Sequence, residues 1–429
     1  MTRRALCCSM LAPVWMFACG GDDNAAAPLL PDGGIADASP VDGADAALGV
    51  DVADAYVDAG FDASLRPLEP YERFVGIDYL GGALLTSIKV VTITFQQDDA
   101  TLVTRLQTFG DTITSTPWWS DSTSEYCVMP KGSPCIGPGT GGGHVVITTP
   151  APSLLTDTDN GSGSTVVQFI QDHIDSGDFP PPDEQTIYQI YFPGGTTIKF
   201  GGSTSCSNFG AYHYSATLKP KGGGKPVEAA YAIEPRCSGE SYTTFAASHE
   251  LIEAATDAHP GKDRGYVMQD YGWSYFGDED GDLCDYPWEF TQIVESTFNV
   301  QRGWSNKRAR LGHDPCVTQP KSEVYFTVAP EAGKQEVYLA VGESMTFNVE
   351  AYSDGMTGDW TLSAEDISGR IGENGTLSFS FDKTTINANQ TAKLTIKLNG
   401  TPSQAVAPYV IHSVSGAGHH WWGATVRLK

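Results

Sequence analysis

The hydrophobic pattern changes near residue 320, and this change most limits what the chain can fold into. Before it, β-branched runs such as 89–95 (KVVTITF) and 186–192 (TIYQIYF) alternate with segments of helical spacing. After it, short runs alternate apolar and polar residues between turn residues. The first pattern is typical of an α/β sheet and the second of a β-sandwich. We therefore expect an α/β (α+β) domain over 70–318 and an all-β sandwich over 320–429.

The segment 70–318 predicts further elements. Additional strands are predicted at 144–149 and 228–234, and apolar residues at helical spacing predict helices over 101–113, 166–174 and 243–257. The middle helix is expected to end near Gly177. The glycine-rich stretch 139–144 (GTGGGH) is expected to be a flexible turn, and residues 261–318 are expected to be mostly loop.

The N-terminus has the features of an export signal. A basic start, MTRR, precedes an apolar stretch that ends at Phe17-Ala18-Cys19. A small residue before a cysteine at this point resembles a bacterial lipoprotein signal. Residues 1–19 are therefore predicted to be a lipoprotein-type signal peptide with Cys19 as the lipidation site, and plain secretion is the alternative. Either way we expect an exported protein, an outer-membrane lipoprotein or an extracellular one.

Charge limits the partners of this chain. The formal net charge is −26, and residues 22–62 contain ten Asp but neither Lys nor Arg. Such a chain is not expected to bind nucleic acid, and we expect membrane contact only through an N-terminal lipid anchor. Residues 20–66 have no hydrophobic period and are expected to be a disordered tether. We expect a monomer.

Cysteine usage agrees with export. Six cysteines remain beyond the predicted signal peptide, and an even set in an exported chain suggests disulfides. The candidates are Cys127, Cys135, Cys206, Cys237, Cys284 and Cys316. The sequence allows many pairings, and we predict the nearest-neighbour set 127–135, 206–237 and 284–316.

The stretch 247–261 (ASHELIEAATDAHPG) carries the candidate chemistry. His249 and Glu253 are four residues apart and lie on one face of the predicted helix. Zinc accepts imidazole nitrogen and carboxylate oxygen, so both are candidate ligands. Glu250 holds the position of the general base in H-E-x-x-H enzymes, although Glu253 replaces their second histidine. The extra negative charge also admits calcium or manganese. The alternative is an ordinary amphipathic helix whose polar residues face solvent or cap loops.

The sequence leaves the third ligand open. The candidates are His259, Asp257, Asp282 and His213. His259 has the spacing of the third histidine in the metzincin pattern, but Thr256 stands where that pattern has glycine. Acidic residues also crowd around DEDGD, where Asp278, Glu279 and Asp280 are candidates for a secondary acidic site. That segment is a calcium loop, a further ligand arm for the helix or a solvated acidic turn.

Four stretches in order resemble the exordium (phosphate-induced) protein family. They are 79–95, 153–193, 206–214 (CSNFGAYHY), and 248–257 (SHELIEAATD) with the later 279–284 (EDGDLC). Plant members of the family are apoplastic proteins linked to growth responses. The resemblance implies a zincin-like fold and metal site, and it covers roughly residues 75–318. The segment 320–429 is similar to the immunoglobulin-like modules of bacterial exported proteins, which implies spacing or adhesion.

These features favour a metal-dependent peptidase in which Glu250 takes the proton of the attacking water. Zinc is the expected cofactor, with calcium as the other candidate, and a peptide or a cell-wall glycan is the expected partner. The alternative is a non-catalytic surface protein that binds glycan or peptide in open grooves. Those grooves would be lined by Trp118, Trp119, Trp273 and Trp288, and the segment 419–422 (HHWW) is a binding patch or a hairpin edge. A third hypothesis is a structural surface protein without metal.

Overall fold

The computed structural model describes the chain from residue 76 onward. Gaps remain at 131, 159–160, 270–272, 275–276, 286–291, 319–323, 372–373, 403–404 and 417. The predicted signal peptide over 1–19, the lipidation site Cys19 and the predicted tether over 20–66 lie outside the described residues, as does Trp288. In the part that is described, no helix is long and apolar enough to cross a bilayer.

A five-stranded mixed sheet forms the centre of the first part of the chain. In sheet order its strands are β3 (Thr140–Ile147), β2 (Lys89–Phe95), β5 (Thr186–Phe192), β9 (Val227–Pro235) and β8 (Tyr212–Leu218). The first four run parallel, and β8 pairs antiparallel with β9 at one edge. Every residue of β5 is buried, which is the pattern of a strand covered on both faces.

Helices cover both faces of this sheet. They are α1 (Ala100–Thr112), α2 (Pro117–Thr123), α3 (Thr165–Ser176), α4 (Glu240–Thr256) and α5 (Asn306–Arg310). On one face Leu106 of α1 and Leu251 of α4 share a core with Val90. On the other face Ile170 of α3 packs with Val91. The helix α3 ends at Gly177, whose φ of 90° is left-handed, so the predicted end of this helix is confirmed.

Short strand pairs surround the sheet. They are β1 (Ile77–Tyr79) with β10 (Tyr266–Met268), β4 (Leu154–Asp157) with β6 (Thr197–Phe200) and β7 (Ser203–Thr204), β11 (Gln292–Glu295) with β12 (Phe298–Gln301), and β13 (Gly303–Trp304) with β14 (Cys316–Val317). The prediction that 261–318 is mostly loop therefore missed β10 to β14 and α5. These elements have two to five residues each, too few to show a hydrophobic period.

The helix α4 is buried on nearly all sides. Only Glu240, Ser241, Tyr242 and His249 of this helix are not fully buried. The interpretation of an amphipathic helix whose polar face meets solvent is therefore wrong, because Glu250 and Glu253 are 4% and 3% exposed. Buried carboxylates need partners that offset their lost hydration, and the following subsection describes those partners.

The glycine-rich stretch 139–144 is not a free turn, which corrects the prediction. It forms the first half of β3, parallel to β2. A Cβ atom at Gly139 would lie 2.4 Å from a methyl carbon of Ile88, and one at Gly141 would lie 2.3 Å from a carboxylate oxygen of Asp111. The glycines are therefore needed because neighbouring atoms approach this strand too closely for a side chain.

The chain after residue 323 forms two packed antiparallel-rich sheets, as predicted for an all-β sandwich. One sheet contains β15 (Phe326–Pro330), β17 (Ser344–Ser353), β21 (Thr391–Leu398) and β19 (Leu377–Phe381) in that order. The other contains β16 (Glu336–Leu339), β23 (Gly418–Leu428), β22 (Val406–Ser415), β18 (Trp360–Asp366) and β20 (Thr385–Ile386). Ile396 of the first sheet and Val410 of the second belong to one core.

The segment 419–422 joins the sandwich to the first part of the chain. It lies on β23, within the hairpin of β22 and β23. The rings of Trp421 and Trp422 lie 4.4 and 5.5 Å from the ring of Trp273. Both rings are buried, so this segment is not an exposed binding patch. The alternative of a hairpin edge is confirmed, because 419–422 pair with β22 and the pairing of β23 with β16 covers only 425–428.

The three predicted disulfides are present. Cys127 pairs with Cys135, Cys206 with Cys237, and Cys284 with Cys316. These bonds are compatible with an exported protein. Cys206–Cys237 ties the segment before β8 to the segment before α4, and Cys284–Cys316 ties the acidic segment around DEDGD to β14. Two of the three bonds thus hold chain segments that meet around α4.

His420 makes the stability of the sandwich junction depend on pH. Burial lowers the pKa of His420 to about 4, and the nearby Asp314 carboxylate offsets only part of this effect. An unfolded histidine titrates near pH 6.5, so the unfolded state binds more protons between these pH values. The free energy of unfolding is therefore expected to fall by up to about 3 kcal/mol from pH 6.5 to pH 4.

This contribution is measured as the pH dependence of the difference between wild type and His420→Leu in urea unfolding. The free energy of unfolding of the wild type should fall relative to that of His420→Leu as the pH falls from 6.5 to 4. His144→Leu is the control, since His144 is an exposed histidine on β3. Parallel curves for wild type and His420→Leu would contradict the prediction.

Candidate metal centre

Three segments bring ionisable side chains together beneath and beside α4. The helix presents His249, Glu250 and Glu253, and the edge strand β8 presents His213. The acidic segment around DEDGD adds Asp282. Gly281 lets this segment approach the helix, because a Cβ atom there would lie 2.9 Å from His249 Nδ1 and 3.0 Å from Glu253 Oε1. The centre thus depends on close backbone approach as well as on the helix motif.

One group of ligand atoms faces the solvent side, and we call it the outer group. It consists of His249 Nε2, Glu253 Oε1 and Asp282 Oδ1, which lie within 4.8 Å of one another. His249 Nε2 is 3.0 Å from Glu253 Oε1 and 3.8 Å from Asp282 Oδ1. The side chains of His249 and Asp282 are 16% and 20% exposed. The outer group is therefore the more exposed of the two groups of ligand atoms, and its ligands are in partial contact with solvent.

A second group lies deeper, and we call it the inner group. It consists of His213 Nδ1, Glu250 Oε2 and Glu253 Oε2, again within 4.8 Å of one another. His213 Nδ1 is 3.4 Å from each of the two carboxylate oxygens. All three side chains are buried. Glu253 belongs to both groups, with one oxygen turned toward each histidine.

Hydrogen bonds on the far nitrogens assign the tautomers of both histidines. His249 Nδ1 lies 2.9 Å from Gln301 Oε1, and His213 Nε2 lies 3.1 Å from the carbonyl oxygen of Asp257. Gln301 Nε2 donates to the carbonyl of Gly281, which fixes the orientation of its amide. Because these oxygens only accept, the two ring nitrogens must carry protons. The remaining nitrogens, His249 Nε2 and His213 Nδ1, therefore face the carboxylates with lone pairs unless a proton or a metal ion lies between.

The pKa shifts of the cluster likewise reflect buried carboxylates that lie close to the two imidazoles. Burial alone would raise the pKa of Glu253, but His249 and His213 lower it to about 2. Burial raises the pKa of Glu250, and it raises the pKa of Asp282 well above its usual value with help from Glu253. Burial alone would lower the pKa of both histidines, yet the surrounding carboxylates raise each well above its usual value. Three buried carboxylates, those of Glu250, Glu253 and Asp282, thus share the positive charge of only two imidazoles.

These residues fit a divalent metal ion. Imidazole nitrogen with carboxylate oxygen is a donor set that zinc and manganese accept. Glu279 Oε1 has no hydrogen-bond partner among the described residues, but it lies 3.3 Å from Arg264 Nη2 and 3.7 Å from His213 Nε2. Its charge is therefore balanced from outside the two histidines.

The structure places two other predicted ligands outside both groups. Asp257 accepts hydrogen bonds from Arg264 Nε and from the backbone of Gly265, which engage both of its carboxylate oxygens. His259 belongs to neither group, and its Nε2 has no hydrogen-bond partner among the described atoms. The helix runs on to Thr256 without the glycine that would turn the chain back, so His259 does not reach the centre.

The secondary acidic site does not converge on one point. Arg264 binds Asp278 through two nitrogens and lies 3.3 Å from Glu279. Asp280 instead accepts the backbone N–H of Trp304. Among the described residues these three acids form no group with metal-binding geometry. The segment supplies Asp282 to the outer group.

The tryptophans expected to line an open groove are buried. Trp118, Trp119 and Trp273 are at most 3% exposed. The ring N–H of Trp118 donates to the carbonyl of Gln301, and that of Trp119 donates to the carbonyl of Gly137. These side chains belong to the core, so the interpretation of a stacking groove for glycan is wrong for these three residues.

Gln301 and Arg264 are residues of the centre that the sequence did not indicate. Gln301 lies at the end of β12 and is fully buried, with its backbone N–H donating to Ser248 Oγ. Arg264 balances Asp257, Asp278 and Glu279. Both come from a segment without helical or strand period, and no motif marks them. A buried glutamine has no signature in a single sequence.

Comparisons with known proteins add little to this picture. No protein-family model and no curated protein matches the chain. Titin domain M7 is 18% identical over 24% of this chain and 93% of its own length, with a TM-score of 0.17. The FixG-related protein from Vibrio parahaemolyticus is 7% identical over 25% of this chain and 98% of its own, with a TM-score of 0.19. Likenesses at these values carry no argument about the metal centre.

Gln301 is expected to tune the metal affinity through His249. Gln301→Leu removes the acceptor on His249 Nδ1, so the ring loses its fixed orientation and tautomer. The zinc dissociation constant should rise by about 10- to 100-fold, measured by competition with a chelating dye. Gln301→Glu keeps an acceptor and should bind zinc more tightly than Gln301→Leu does.

The matched control is Gln168→Leu on the exposed side of α3, which should leave the zinc affinity unchanged. Equal affinities for wild type and Gln301→Leu would show that Gln301 only packs against the ring.

Proposed function

We propose that this chain is an exported, zincin-like metalloprotein that hydrolyses peptide bonds. The observation that carries the proposal is the outer group, in which the three ligands His249, Glu253 and Asp282 converge and two of them are partly exposed. Three protein ligands leave a fourth coordination position for water or substrate, as in catalytic zinc sites, whereas structural sites fill all four positions with protein ligands. The helix that carries the ligands packs on a sheet with an antiparallel edge strand, and this arrangement supports the zincin-like assignment.

Each residue has a defined task in this reaction. His249, Glu253 and Asp282 bind the ion, and Gln301 orients His249. When bound, the ion supplies Lewis acidity to the scissile carbonyl. Glu250 takes one proton from the attacking water as the water oxygen bonds to the carbonyl carbon. The carbon–nitrogen bond then breaks, and Glu250 returns the proton to the leaving amine.

The environment of Glu250 suits this task. Burial raises its pKa from the ordinary value of a glutamate. A base whose pKa lies closer to neutrality takes a proton and returns it with similar ease. His213 Nδ1 lies 3.4 Å from Glu250 Oε2 and so holds the position of this carboxylate. His213 is therefore a positioning residue for the base.

The donor set favours zinc over calcium. Calcium takes six to eight oxygen ligands as a rule, whereas the outer group offers one nitrogen and two carboxylates. Most of the other acids nearby already have partners, since Asp257 and Asp278 are bound by Arg264. Manganese remains compatible with the same atoms, and metal analysis distinguishes the two ions.

Export and anchoring are parts of the same proposal. The three disulfides agree with an oxidising compartment. Anchoring through Cys19, membership of the exordium family and a monomeric state rest on the sequence alone. The sandwich, immunoglobulin-like in this proposal, acts as a spacer that holds the metal centre away from the envelope.

A surface protein that binds without turnover is the alternative. It is favoured by the second carboxylate in place of a second histidine, because added negative charge weakens the Lewis acidity of an ion. Its aromatic groove is not available, since the three described tryptophans are buried. Binding of cell-wall glycan or peptide without hydrolysis is the result that would favour it.

The proposal predicts that Glu250→Gln nearly abolishes hydrolysis. The amide cannot accept the proton, so kcat should fall by about 10²- to 10⁴-fold while the protein loaded with one equivalent of zinc keeps its ion. Hydrolysis is measured by mass spectrometry on a library of synthetic peptides, and zinc by elemental analysis.

Glu240→Gln is the matched control, because Glu240 begins the same helix but pairs with Arg105 near the surface. It should leave kcat unchanged. Equal hydrolysis by wild type and Glu250→Gln would remove Glu250 from the mechanism.

A further inference from the structure

We propose that the inner group is a second divalent-cation site, and that an ion bound there inhibits the enzyme by capturing Glu250. The inference rests on the proposed function, since it assigns a regulatory role to the general base. It concerns His213, Glu250 and Glu253, which the catalytic reaction uses only for orientation, proton transfer and outer-ion binding.

Glu253 is the residue that joins the two sites. Its Oε1 lies 3.0 Å from His249 Nε2, and its Oε2 lies 3.4 Å from His213 Nδ1. A carboxylate can bind one cation at each oxygen. The two histidines approach it from different elements, α4 and β8, so the outer and inner positions are formed by separate parts of the fold.

The distances of the inner group suit one shared ion. Zinc binds nitrogen and oxygen at about 2.0–2.1 Å in a tetrahedral arrangement, which places neighbouring ligand atoms about 3.3 Å apart. His213 Nδ1 lies 3.4 Å from both Glu250 Oε2 and Glu253 Oε2. The outer group is less regular, with separations of 3.0 and 3.8 Å. The inner group is therefore the better preformed of the two.

The tautomer of His213 makes a cation necessary at this position. Its Nε2 donates a hydrogen bond to the backbone carbonyl of Asp257. In the neutral ring, Nδ1 therefore carries the lone pair, and it faces two carboxylates. A lone pair facing two buried anions is unfavourable. Either a proton or a metal ion must lie between them, and a divalent ion neutralises more of the charge of these two carboxylates than one proton does.

Inhibition by the second ion is expected because Glu250 would become a ligand of that ion. A carboxylate oxygen bound to a cation has lost the lone pair and much of the basicity that proton transfer needs. We expect the outer position to fill first, because an ion there keeps part of its hydration, whereas an ion in the buried inner group loses it. Hydrolysis should therefore rise with the first equivalent of zinc and fall with the second.

Metal titration tests this directly. The purified protein is freed of metal with a chelator and equilibrated with Zn²⁺ from zero to several equivalents. Bound zinc is measured by equilibrium dialysis with elemental analysis, and hydrolysis of the peptide library is measured on the same samples. Wild type should bind two ions, and binding of the second should lower hydrolysis by at least tenfold.

Two variants identify the ligand. His213→Leu and His213→Gln should each bind one ion, and their hydrolysis should not fall above one equivalent. Two substitutions of different polarity are used so that a folding defect in one does not decide the result. His259→Leu is the matched control, a nearby buried histidine outside both groups, and it should still bind two ions.

The outcomes separate this inference from the proposed function. A single bound ion in wild type, or a second ion that survives in both His213 variants, would overturn the inner site. Two ions bound without any fall in hydrolysis would overturn its inhibitory role. Two bound ions in the wild type and one in both His213 variants, but no hydrolysis at any zinc level, would support the site while contradicting the peptidase.

Discussion

The carboxylate of Glu253 is the charge on which the rest of the centre depends. It is 3% exposed and lies between two imidazoles, with Glu250, Glu279 and Asp282 nearby. Buried charges persist only when they are paired or bound to a metal. Positive charge around this cluster comes from the two histidines, whose tautomers are fixed by Gln301 and by the carbonyl of Asp257. Arg264 pairs with the acids that lie farther out. In the proposed function, a divalent ion completes that balance.

The fold places this charge where it can act. Small residues such as Ala247 and Ala254 let α4 lie close against neighbouring elements, and Gly281 lets the acidic segment reach the helix. The Cys284–Cys316 bond then fixes the end of that segment. His213 comes from the edge strand β8 and is buried, whereas His249 and Asp282 are partly exposed. The centre therefore has a solvent side and a buried side. This asymmetry separates an accessible outer position from an enclosed inner one.

The sequence predicted the parts of this centre that follow from local periodicity. Helical spacing placed His249 and Glu253 on one face, and β-branched runs gave the buried strands. Asp282 and His213 were among the candidate ligands, but nothing in their spacing distinguished them from His259 or Asp257. That choice depends on where the acidic segment and β8 pass the helix. Gln301 was missed because its role arises from a contact across 52 residues of sequence. The tryptophans were wrongly assigned to a groove because the sequence does not distinguish an aromatic residue that lines a groove from one that packs in a core.

The most direct test of the central claim is the zinc content of the purified protein beside the double variant His249→Ala/Glu253→Ala. Both proteins are equilibrated with one equivalent of Zn²⁺ and dialysed before elemental analysis, with folding checked by circular dichroism. The account predicts about one zinc per chain in the wild type and none in the variant. A folded wild type that retains no zinc, or a variant that retains as much as the wild type, would contradict the metal centre.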